Sequence, residues 1–458
     1  MSSVICRIQP SASGSQHAVG LSQLLMKEWG CQNGQSIKLR IGSKSMITRV
    51  IGLRRKKCVI VLSRSIAAQL NLPFFGETRA AYRNKELRLG PVLAILTTGF
   101  SGSGITPFGA RSALFRNFLL ASREERPFFY VFTPEMVDWT NQVVSGWFYR
   151  KDGSGTYRWM RRPAPLPDVV YERVPNRKAE AGTPVKNCKA RLQAIGKTRI
   201  FNQGFFNKWQ VHEALYNHPL TLESIPEAHR SPTVETIRDM LERYKMVYLK
   251  PSGGSLGLGI SRITQSPDGG YYCRFRNGDQ NILRKFRALS PLMKQMFGPQ
   301  MKRLPSYIVQ QGIRLIKYRG SPVDFRVHMH KDRMGMWKVV GLGAKGAGAG
   351  CVTTHGRTGG SLLSAQEVLA YCFPGQEKEM EHRIRETSIR ICTALENRVG
   401  KPLGELGLDI GVDQNRRIWL FEVNAKPGRH IFKHPSLAES GRQSARCITE
   451  YCLKLAQF

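Results

Sequence analysis

The sequence predicts a mixed α/β protein built from three consecutive units. Short alternating strand patterns occupy residues 1–90, a strand–helix–strand pattern follows in residues 91–190, and strands flanking a glycine-rich loop lie within residues 191–458. A chain of 458 residues is longer than a single hydrophobic core usually supports. We therefore expect three domains with boundaries near residues 90 and 190.

The composition indicates a globular protein. Hydrophobic residues make up 41% of the chain, and its 10 cysteines contain no C-x-x-C pair, so we expect reduced thiols, mostly buried, and no zinc site or disulfide framework. No apolar run approaches the roughly 18 residues that a membrane helix needs. The first residues lack a charged segment followed by an apolar stretch, so we do not expect a secretory signal. We expect a cytoplasmic protein without a membrane partner.

The chain is strongly basic, with a formal net charge of +37. Such a charge attracts polyanions, including acidic polymers, nucleotides and anionic surfaces. It is also compatible with a basic surface that serves solubility alone. Because the basic residues form neither a nucleic-acid-binding motif nor a stripe with interleaved aromatic residues, we do not expect specific nucleic-acid binding.

The first unit shows the pattern of a small β-rich domain. Alternating apolar residues at Ser36–Ile41 and Cys58–Leu62 predict strands, separated by turns rich in glycine, asparagine and basic residues. Ser63–Leu70 predicts one short helix, which Pro73 prevents from continuing. Together these patterns predict a barrel-like domain with a basic exterior.

The second unit begins with a strand–helix–strand pattern. Pro91–Leu96 predicts a buried strand, Arg111–Ser122 an amphipathic helix and Phe128–Phe132 a second strand, which indicates parallel pairing. The loop Thr98–Gly109 lies between the first strand and the helix. Its Gly99–Gly104 segment could cradle a phosphate, but it lacks the dinucleotide-binding fingerprint and is better interpreted as a plain loop.

The end of the second unit and the helices of the third are also predicted. We expect a hairpin around Gly146–Arg158 and a closing strand at Val169–Arg173, followed by a linker at Pro175–Lys189. The clearest predicted helices of the third unit are Ala365–Ala370, Glu377–Val399 and Ser436–Leu455.

A glycine-rich loop in the third unit has the features of an anion-binding loop. A strand ends at Lys250, and glycines follow at positions 253, 254, 257 and 259 before the next strand. Closely spaced glycines let successive backbone N–H groups point at one anion, and the lysine adds a positive charge. No Gly-Lys-Ser/Thr sequence follows, so this is not a Walker loop. A glycine-rich hairpin without a ligand is the alternative interpretation.

The segment from residue 406 to 428 predicts a metal site on a β-hairpin. With a turn at Asp413–Asn415, Asp409 lies opposite a strand that carries Glu422 and Asn424 on one face. Two carboxylates and an amide oxygen form a ligand set that suits Mg²⁺. A solvated polar hairpin face is the alternative, but the apolar residues around Glu422 argue against it.

A third polar strand lies at Val323–His330. Alternation places Asp324, Arg326, His328 and His330 on one face. This face suits anion handling, with Arg326 directed at a phosphate or carboxylate. The two histidines could suggest a metal site, but we favour a polar strand face near the substrate.

Together these motifs resemble those of the ATP-grasp superfamily. Within it, the phrases Tyr248–Ile260 and Glu422–Gly428, with the opening segment Phe205–His212, are similar to the YheC/YheD family, which comprises endospore-coat-associated ATP-grasp proteins of spore-forming bacteria. The resemblance implies an ATP-grasp fold in which two α+β lobes clasp ATP. It also implies that a small β-rich N-terminal domain and an α/β pre-ATP-grasp domain precede this fold.

The resemblance further implies roles for individual residues. Arg326 and Lys250 would be catalytic, Arg326 by stabilising the transferring phosphoryl group, and Asp409, Glu422 and Asn424 would hold Mg²⁺ or Mn²⁺. ATP would be contacted by Lys208, Lys250, Ser252, Gly253, Gly254, Ser255, Gly257, Gly259, Gln310, Gln311 and Ile313.

The resemblance implies an ATP-dependent ligase that joins an unknown carboxylate substrate to an amine or thiol through an acylphosphate. The alternative is a non-catalytic ATP-binding protein with a structural or sensing role at the spore coat. Leu258 and His355, which stand where many relatives carry lysine and asparagine, favour this alternative. So does the hinge at Gln310-Gln311, which no clear acidic residue follows to bind the ribose, whereas the complete metal-ligand set favours catalysis. The implied location is the cytoplasm or the spore coat, where the basic surface would contact polyanions or coat components.

Overall fold

The computed structural model describes residues 3–11, 18–253, 259–278, 280–348, 350–351 and 360–458. Across these ranges the strands form a closed barrel and three further sheets. A search of the same ranges finds no helix that is both long and apolar enough to cross a membrane.

The barrel contains the strands β1 to β7 and carries two short helices. Around it the strands follow the order β1-β5-β2-β4-β3-β7-β6, and β6 pairs with β1 to close it. The predicted helix after Ser63 is present. The Ser63 hydroxyl caps its first turn by accepting a hydrogen bond from the Ile66 N–H. The bounds are β1 Val4–Pro10, β2 Ala18–Ser22, α1 Gln23–Trp29, β3 Ser36–Ile41, β4 Lys44–Leu53, β5 Val59–Leu62, α2 Arg64–Gln69, β6 Gly76–Arg83 and β7 Glu86–Gly90.

The second sheet has the strand order β10-β11-β9-β8-β13-β14, with β12 paired to β11. Strand β8 runs parallel to both β9 and β13, as the strand–helix–strand pattern predicts. The bounds are β8 Val92–Leu96, α3 Ser112–Ala121, β9 Phe128–Phe132, β10 Val137–Asp138, β11 Val143–Lys151, β12 Tyr157–Pro165, β13 Val169–Glu172, α4 Arg177–Ala181, α5 Thr183–Gly196 and β14 Arg199–Phe201.

The linker predicted at Pro175–Lys189 is wrong, because this segment is helical. Asn176 caps α4 through its side chain, and α5 starts immediately afterwards with proline in its first turn. Val185, Cys188 and Leu192 of α5 are buried. These three apolar residues recur at helical spacing, but the intervening lysines and arginines conceal the amphipathic pattern.

The third sheet, which we call the first lobe, has the order β15-β20-β16-β17-β18-β19. Helices α7 and α8 cover one of its faces, where Ile237 and Leu292 pack in a core with Val247 and Leu249 of β16. The bounds are α6 Lys208–Tyr216, β15 Ala228–Arg230, α7 Val234–Tyr244, β16 Met246–Pro251, β17 Ser261–Gln265, β18 Tyr271–Asn277, β19 Gln280–Phe286, α8 Leu289–Phe297 and β20 Tyr307–Gln311.

The fourth sheet, which we call the second lobe, has the order β24-β23-β22-β25-β26, with β21 paired to β22. Helix α10 packs on this sheet and on α6, and α11 connects it to α3 and β13 of the preceding unit. The three predicted helices are present as α9, α10 and α11. The bounds are β21 Lys317–Tyr318, β22 Ser321–Lys331, β23 Trp337–Gly346, β24 Ser361–Ser364, α9 Ala365–Cys372, α10 Glu377–Val399, β25 Glu405–Val412, β26 Ile418–Asn424 and α11 Ala438–Ala456.

Candidate functional site

Two neighbouring strands of the second lobe carry the predicted metal ligands, and a third strand places Arg326 beside them. In the central strands Arg326 of β22 lies opposite Asp409 of β25, which in turn lies opposite Glu422 of β26. Asn424 lies opposite Gly407, two residues along the same strand as Glu422. Because side chains alternate along a strand, Glu422 and Asn424 share one face. The predicted hairpin is therefore present, with a β-bulge between Asp409 and Ile410 that the sequence did not predict.

Asp409 lies at the centre of a buried cluster of charges. The guanidinium group of Arg326 donates two hydrogen bonds to it, from Nε to Oδ1 at 2.8 Å and from Nη2 to Oδ2 at 2.9 Å. The Lys345 ammonium group lies 2.8 Å from Asp409 Oδ1 and 3.2 Å from Asp324 Oδ1. Both carboxylates and both cations are at least 90% buried, so each charge depends on the others for stabilisation.

The charges of this cluster shift one another's pKa values. Burial alone would raise the pKa of the Asp409 carboxyl, but Arg326 and Lys345 outweigh it and hold that pKa well below its usual range. Burial alone would likewise lower the pKa of Lys345, whereas Asp409 and Asp324 raise it. Asp409 and Lys345 are therefore both charged near neutral pH.

Glu422 lies at the accessible edge of the cluster. Its side chain is 37% exposed, and its Oε1 is 3.4 Å from the Lys208 ammonium group at the start of α6. The donor set of two carboxylates and one amide oxygen fits a hard divalent cation such as Mg²⁺. A bound cation would compete with Lys208 for Glu422, and with Arg326 and Lys345 for Asp409.

The first lobe presents its own polar face to these carboxylates. Lys250, at the end of β16, donates a hydrogen bond to the side-chain oxygen of Gln310 on β20. Between Lys250 and the second lobe lies a small cavity of about 50 Å³. Its lining combines cations, apolar side chains and one amide: Lys208, Trp209, Val211, His212, Leu215, Ile225, Ala228, Lys250, Ile308, Gln310, Leu420 and Phe421. Such a lining can hold a flat apolar ring beside an anionic group.

In the described part of the glycine-rich loop, the chain returns close to Pro251, the residue after Lys250. Gly259 has a φ of +72°, and a Cβ atom there would lie 2.9 Å from Pro251 Cγ, so glycine is required. The Ser252 N–H donates to the carbonyl of Ser306, and Gly253 is exposed. The predicted loop residues Gly254, Ser255, Gly257 and Leu258, with His355, lie outside the described residues.

The predicted adenine hinge follows β20. Gln311 exchanges hydrogen bonds with Glu227, donating from its backbone N–H at 2.8 Å and accepting from the Glu227 N–H at its side-chain oxygen at 3.2 Å. Ile313 is buried beyond this pair. The Glu227 carboxylate lies near the hinge, but Arg243 and Tyr244 already donate to it. Hydrogen bonding to Arg243 and then Tyr244 lowers its pKa to about 2.

The polar face of β22 divides into two separate clusters. Asp324 and Arg326 join the cluster around Asp409, whereas His328 and His330 have no exposed surface. The Nε2 of His328 lies 2.9 Å from Glu405 Oε1, and that of His330 lies 2.6 Å from Ser444 Oγ. The two histidines therefore belong to a buried structural network instead of a substrate-facing strand.

The sequence interpretation missed Lys345 and Glu405. Lys345 follows a run of glycine and apolar residues on β23, and a lysine at the end of such a run is a usable signal of a buried ion pair. Glu405 immediately precedes the recognised hairpin, and its partners lie far away in the sequence. No local pattern identifies those partners.

Lys250 should make nucleotide binding sensitive to pH. Burial lowers the pKa of its ammonium group to about 8, and the charge of Lys208 contributes in the same direction. Since an anion binds the charged form, affinity should be full below this pKa and fall as the pH rises through it. We expect calorimetry to show Mg-ATP binding about tenfold weaker at pH 9 than at pH 7. In Lys250→Arg the pH dependence should disappear, and an unchanged dependence in that variant would contradict the assignment.

Two sheets that face each other across a cleft, with a lysine and a glycine-rich loop on one and paired carboxylates on the other, define an ATP-grasp protein. The chain belongs to the YheC/D-like ATP-grasp family, whose model matches residues 197–455. It is 32% identical over 417 residues to the endospore coat-associated protein YheD of Bacillus subtilis (strain 168), covering 91% of this chain and 90% of that protein. The endospore coat-associated protein YheC of the same organism is 24% identical over 307 residues, covering 65% of this chain and 81% of YheC.

Solved structures of ATP-grasp ligases also align with the chain. The D-Ala:D-Ser ligase VanG from Enterococcus faecalis has a TM-score of 0.44 at 13% identity, over 78% of this chain and 98% of VanG. The ATP-grasp ligase PsnB, in a complex with a variant precursor, Mg and ADP, has a TM-score of 0.41 at 14% identity, over 79% of this chain and 99% of PsnB.

Proposed function

We propose that the protein is an ATP-dependent ligase that joins a carboxylate to an amine or thiol through an acylphosphate. The observation that carries this proposal is the meeting of opposite charges across one cleft. Lys250 and Lys208 face the carboxylates of Asp409 and Glu422. The pKa of Lys250 responds to the charges of Lys208, Asp409 and Glu422. A cleft with both signs of charge suits a metal-bound polyphosphate.

Each side of the cleft would have a distinct task. Lys208 and Lys250 would bind the phosphates of ATP, and the segment Gln310–Ile313 would border the adenine. Mg²⁺ or Mn²⁺, held by Asp409, Glu422 and Asn424, would neutralise phosphate charge. Arg326, held in orientation by its two hydrogen bonds to Asp409, would stabilise the transferring phosphoryl group.

The glycine-rich loop would close over the phosphates. Ser252, Gly253 and Gly259 represent this loop among the described residues, and we propose the same role for Gly254, Ser255 and Gly257. Backbone N–H groups of such a loop can point at one anion. Gln311 would contribute to the adenine border alongside Gln310.

The test of catalysis is the release of ADP and phosphate. A panel of amino acids, peptides and acidic polymers should be screened with Mg-ATP, because a ligase forms ADP only when its carboxylate substrate is present. Substrate-dependent ADP release, with a product whose mass equals the two joined substrates less water, would support the proposal. Tight Mg-ATP binding without ADP release across the whole panel would favour the second candidate.

The second candidate is a non-catalytic ATP-binding protein with a structural or sensing role at the spore coat. One observation favours it: both oxygens of Asp409 are already satisfied by Arg326 and Lys345, so the cluster keeps its charge balance without a metal. The names of the two relatives, which are endospore coat-associated proteins, agree with a place at the coat. A cytoplasmic location, with polyanion or coat contacts through the basic surface, fits either candidate.

Glu422→Gln should separate metal binding from folding. Its carboxylate is 37% exposed and pairs only loosely with Lys208, so the substitution should change the free energy of unfolding by less than about 1 kcal/mol. In the wild type, Mg-ATP at about a hundred times its dissociation constant should add roughly 2.7 kcal/mol. Thermal unfolding with and without Mg-ATP should show that this gain is lost in the variant.

The matched control is Glu439→Gln, at an exposed glutamate of α11 that pairs with Arg442. It makes the same chemical change outside the cleft and should retain the full Mg-ATP shift. A full, magnesium-dependent shift in Glu422→Gln would contradict the assignment of Glu422 as a metal ligand.

A further inference from the structure

A second cavity lies between the end of α3 and the β11–β12 hairpin, next to the barrel. Its volume is about 250 Å³, and none of its lining residues lines the nucleotide cleft. Its floor is apolar and buried, formed in part by Phe129 and Phe148. Four cationic side chains line it, namely Arg123, Arg126, Arg150 and Lys151.

These cations are poorly matched by carboxylates. Glu77 is the one acidic residue of the described lining, and it is paired with Arg126 through an Nε–Oε2 contact of 3.2 Å. The remaining cations lie over aromatic rings instead. Arg123 and Lys151 lie 4.8 and 5.6 Å from the ring centroid of Tyr157.

Arg150 is half-buried, whereas the other three cations of the cavity are exposed. It lies 4.6 Å from the ring centroid of Phe74, and no carboxylate of the described ranges forms an ion pair with it. Burial lowers the pKa of its guanidinium group, and the charges of Arg126 and Arg123 lower it further, although Tyr157 opposes them. Like charges gathered without counter-charges are unfavourable in the free protein, so an anion that entered here would relieve the repulsion.

We propose that this cavity binds a small multivalent oxyanion, either a phosphate ester or a polycarboxylate. Guanidinium groups form paired hydrogen bonds with both kinds of oxyanion. Several converging cations favour a ligand with more than one negative charge. The volume lies near the lower end of the roughly 300–1,000 Å³ typical of small-molecule sites, which favours a compact ligand over a polymer.

The test is calorimetric titration of the full chain, at low salt, with inorganic tripolyphosphate and with citrate. The wild type should bind at least one of the two probes at this cavity. The double variant Arg123→Gln/Arg150→Gln should bind that probe at least about tenfold more weakly than the wild type, because it removes two charge-assisted contacts. The control Arg49→Gln/Arg64→Gln makes the same charge change at two exposed barrel arginines outside the cavity, and should stay within about twofold of the wild type.

Both double variants leave the nucleotide cleft intact, so the difference between them reports on this cavity alone. The Mg-ATP thermal shift, measured separately, reports on the cleft. If loss of Arg150 prevents folding, Arg123→Gln/Lys151→Gln serves instead, since both of these side chains are exposed. Preference for tripolyphosphate would assign a phosphate ester, and preference for citrate a polycarboxylate. Equal affinity in the cavity variant and the control, or no binding of either probe by the wild type, would overturn the proposal.

Discussion

Asp409→Asn should lower the free energy of unfolding by about 3–5 kcal/mol. The substitution removes the charge that Arg326 and Lys345 share, and both of these cations are 7% exposed. Asp324 would remain as a partner for Lys345, whereas Arg326 would lose the charge that accepts both of its hydrogen bonds. Denaturant-induced unfolding at neutral pH would measure this loss. The same variant should also lose the Mg-ATP stabilisation, because it removes a proposed metal ligand.

Asp239→Asn is the matched control for this experiment. Asp239 is exposed on α7, away from the cleft, so the same substitution should change stability by less than about 0.5 kcal/mol. If Asp409→Asn were as stable as this control, the buried charge cluster would not have the strength that its geometry indicates. If it were destabilised but kept a full Mg-ATP shift, the cluster would be structural and Asp409 would not be a metal ligand.

The sequence was sufficient to place residues on the faces of neighbouring strands. The turn at Asp413–Asn415 and the alternation of β26 predicted that Asp409 faces the strand of Glu422, but the direct pairing of these two residues depends on a β-bulge between Asp409 and Ile410 that the sequence did not indicate. The turn and the alternation depend on neighbouring residues in the chain, which is why they could be predicted.

The sequence could not identify which partners neutralise those residues. Arg326 was expected to point at a phosphate or a carboxylate, and in the structure it is paired with the carboxylate of Asp409, which lies 83 positions later and which no local pattern identified as its partner. Lys345 reaches the same carboxylate from the other neighbouring strand of β22. These contacts depend on how distant strands are ordered in the sheet, and no local periodicity encodes that order.

The partners of Glu405 also could not be identified from the sequence. The network that they form connects two units of the fold. This carboxylate has no exposed surface, and it accepts hydrogen bonds from Tyr171 and from Arg429 Nη1, the latter at 3.1 Å. Arg173 Nη1 lies 3.7 Å away and adds its charge. Tyr171 and Arg173 come from β13 and the residue that follows it, so Glu405 ties the second sheet to the second lobe.

Acid should weaken this network, and the sign follows from two pKa shifts. Burial would raise the pKa of Glu405, but Arg173 and the hydrogen bond from His328 hold it well below its usual range. Burial lowers the pKa of His328 to about 4. Unfolding therefore takes up protons at both groups. Their contribution to stability should be complete above about pH 6.5 and should decrease as the pH falls towards 4.

Glu405→Gln should accordingly lower the free energy of unfolding by about 3–5 kcal/mol at pH 7, because it leaves Arg173 and Arg429 buried without their counter-charge. The matched control is Glu450→Gln, at a glutamate whose partner Lys338 is 35% exposed, where a loss below about 1 kcal/mol is expected. Denaturant titrations of both variants would measure the difference. Equal losses would mean that the two arginines find other partners. A loss confined to Glu405→Gln would show that this buried carboxylate is an electrostatic connection between the second sheet and the lobe that carries the proposed metal ligands.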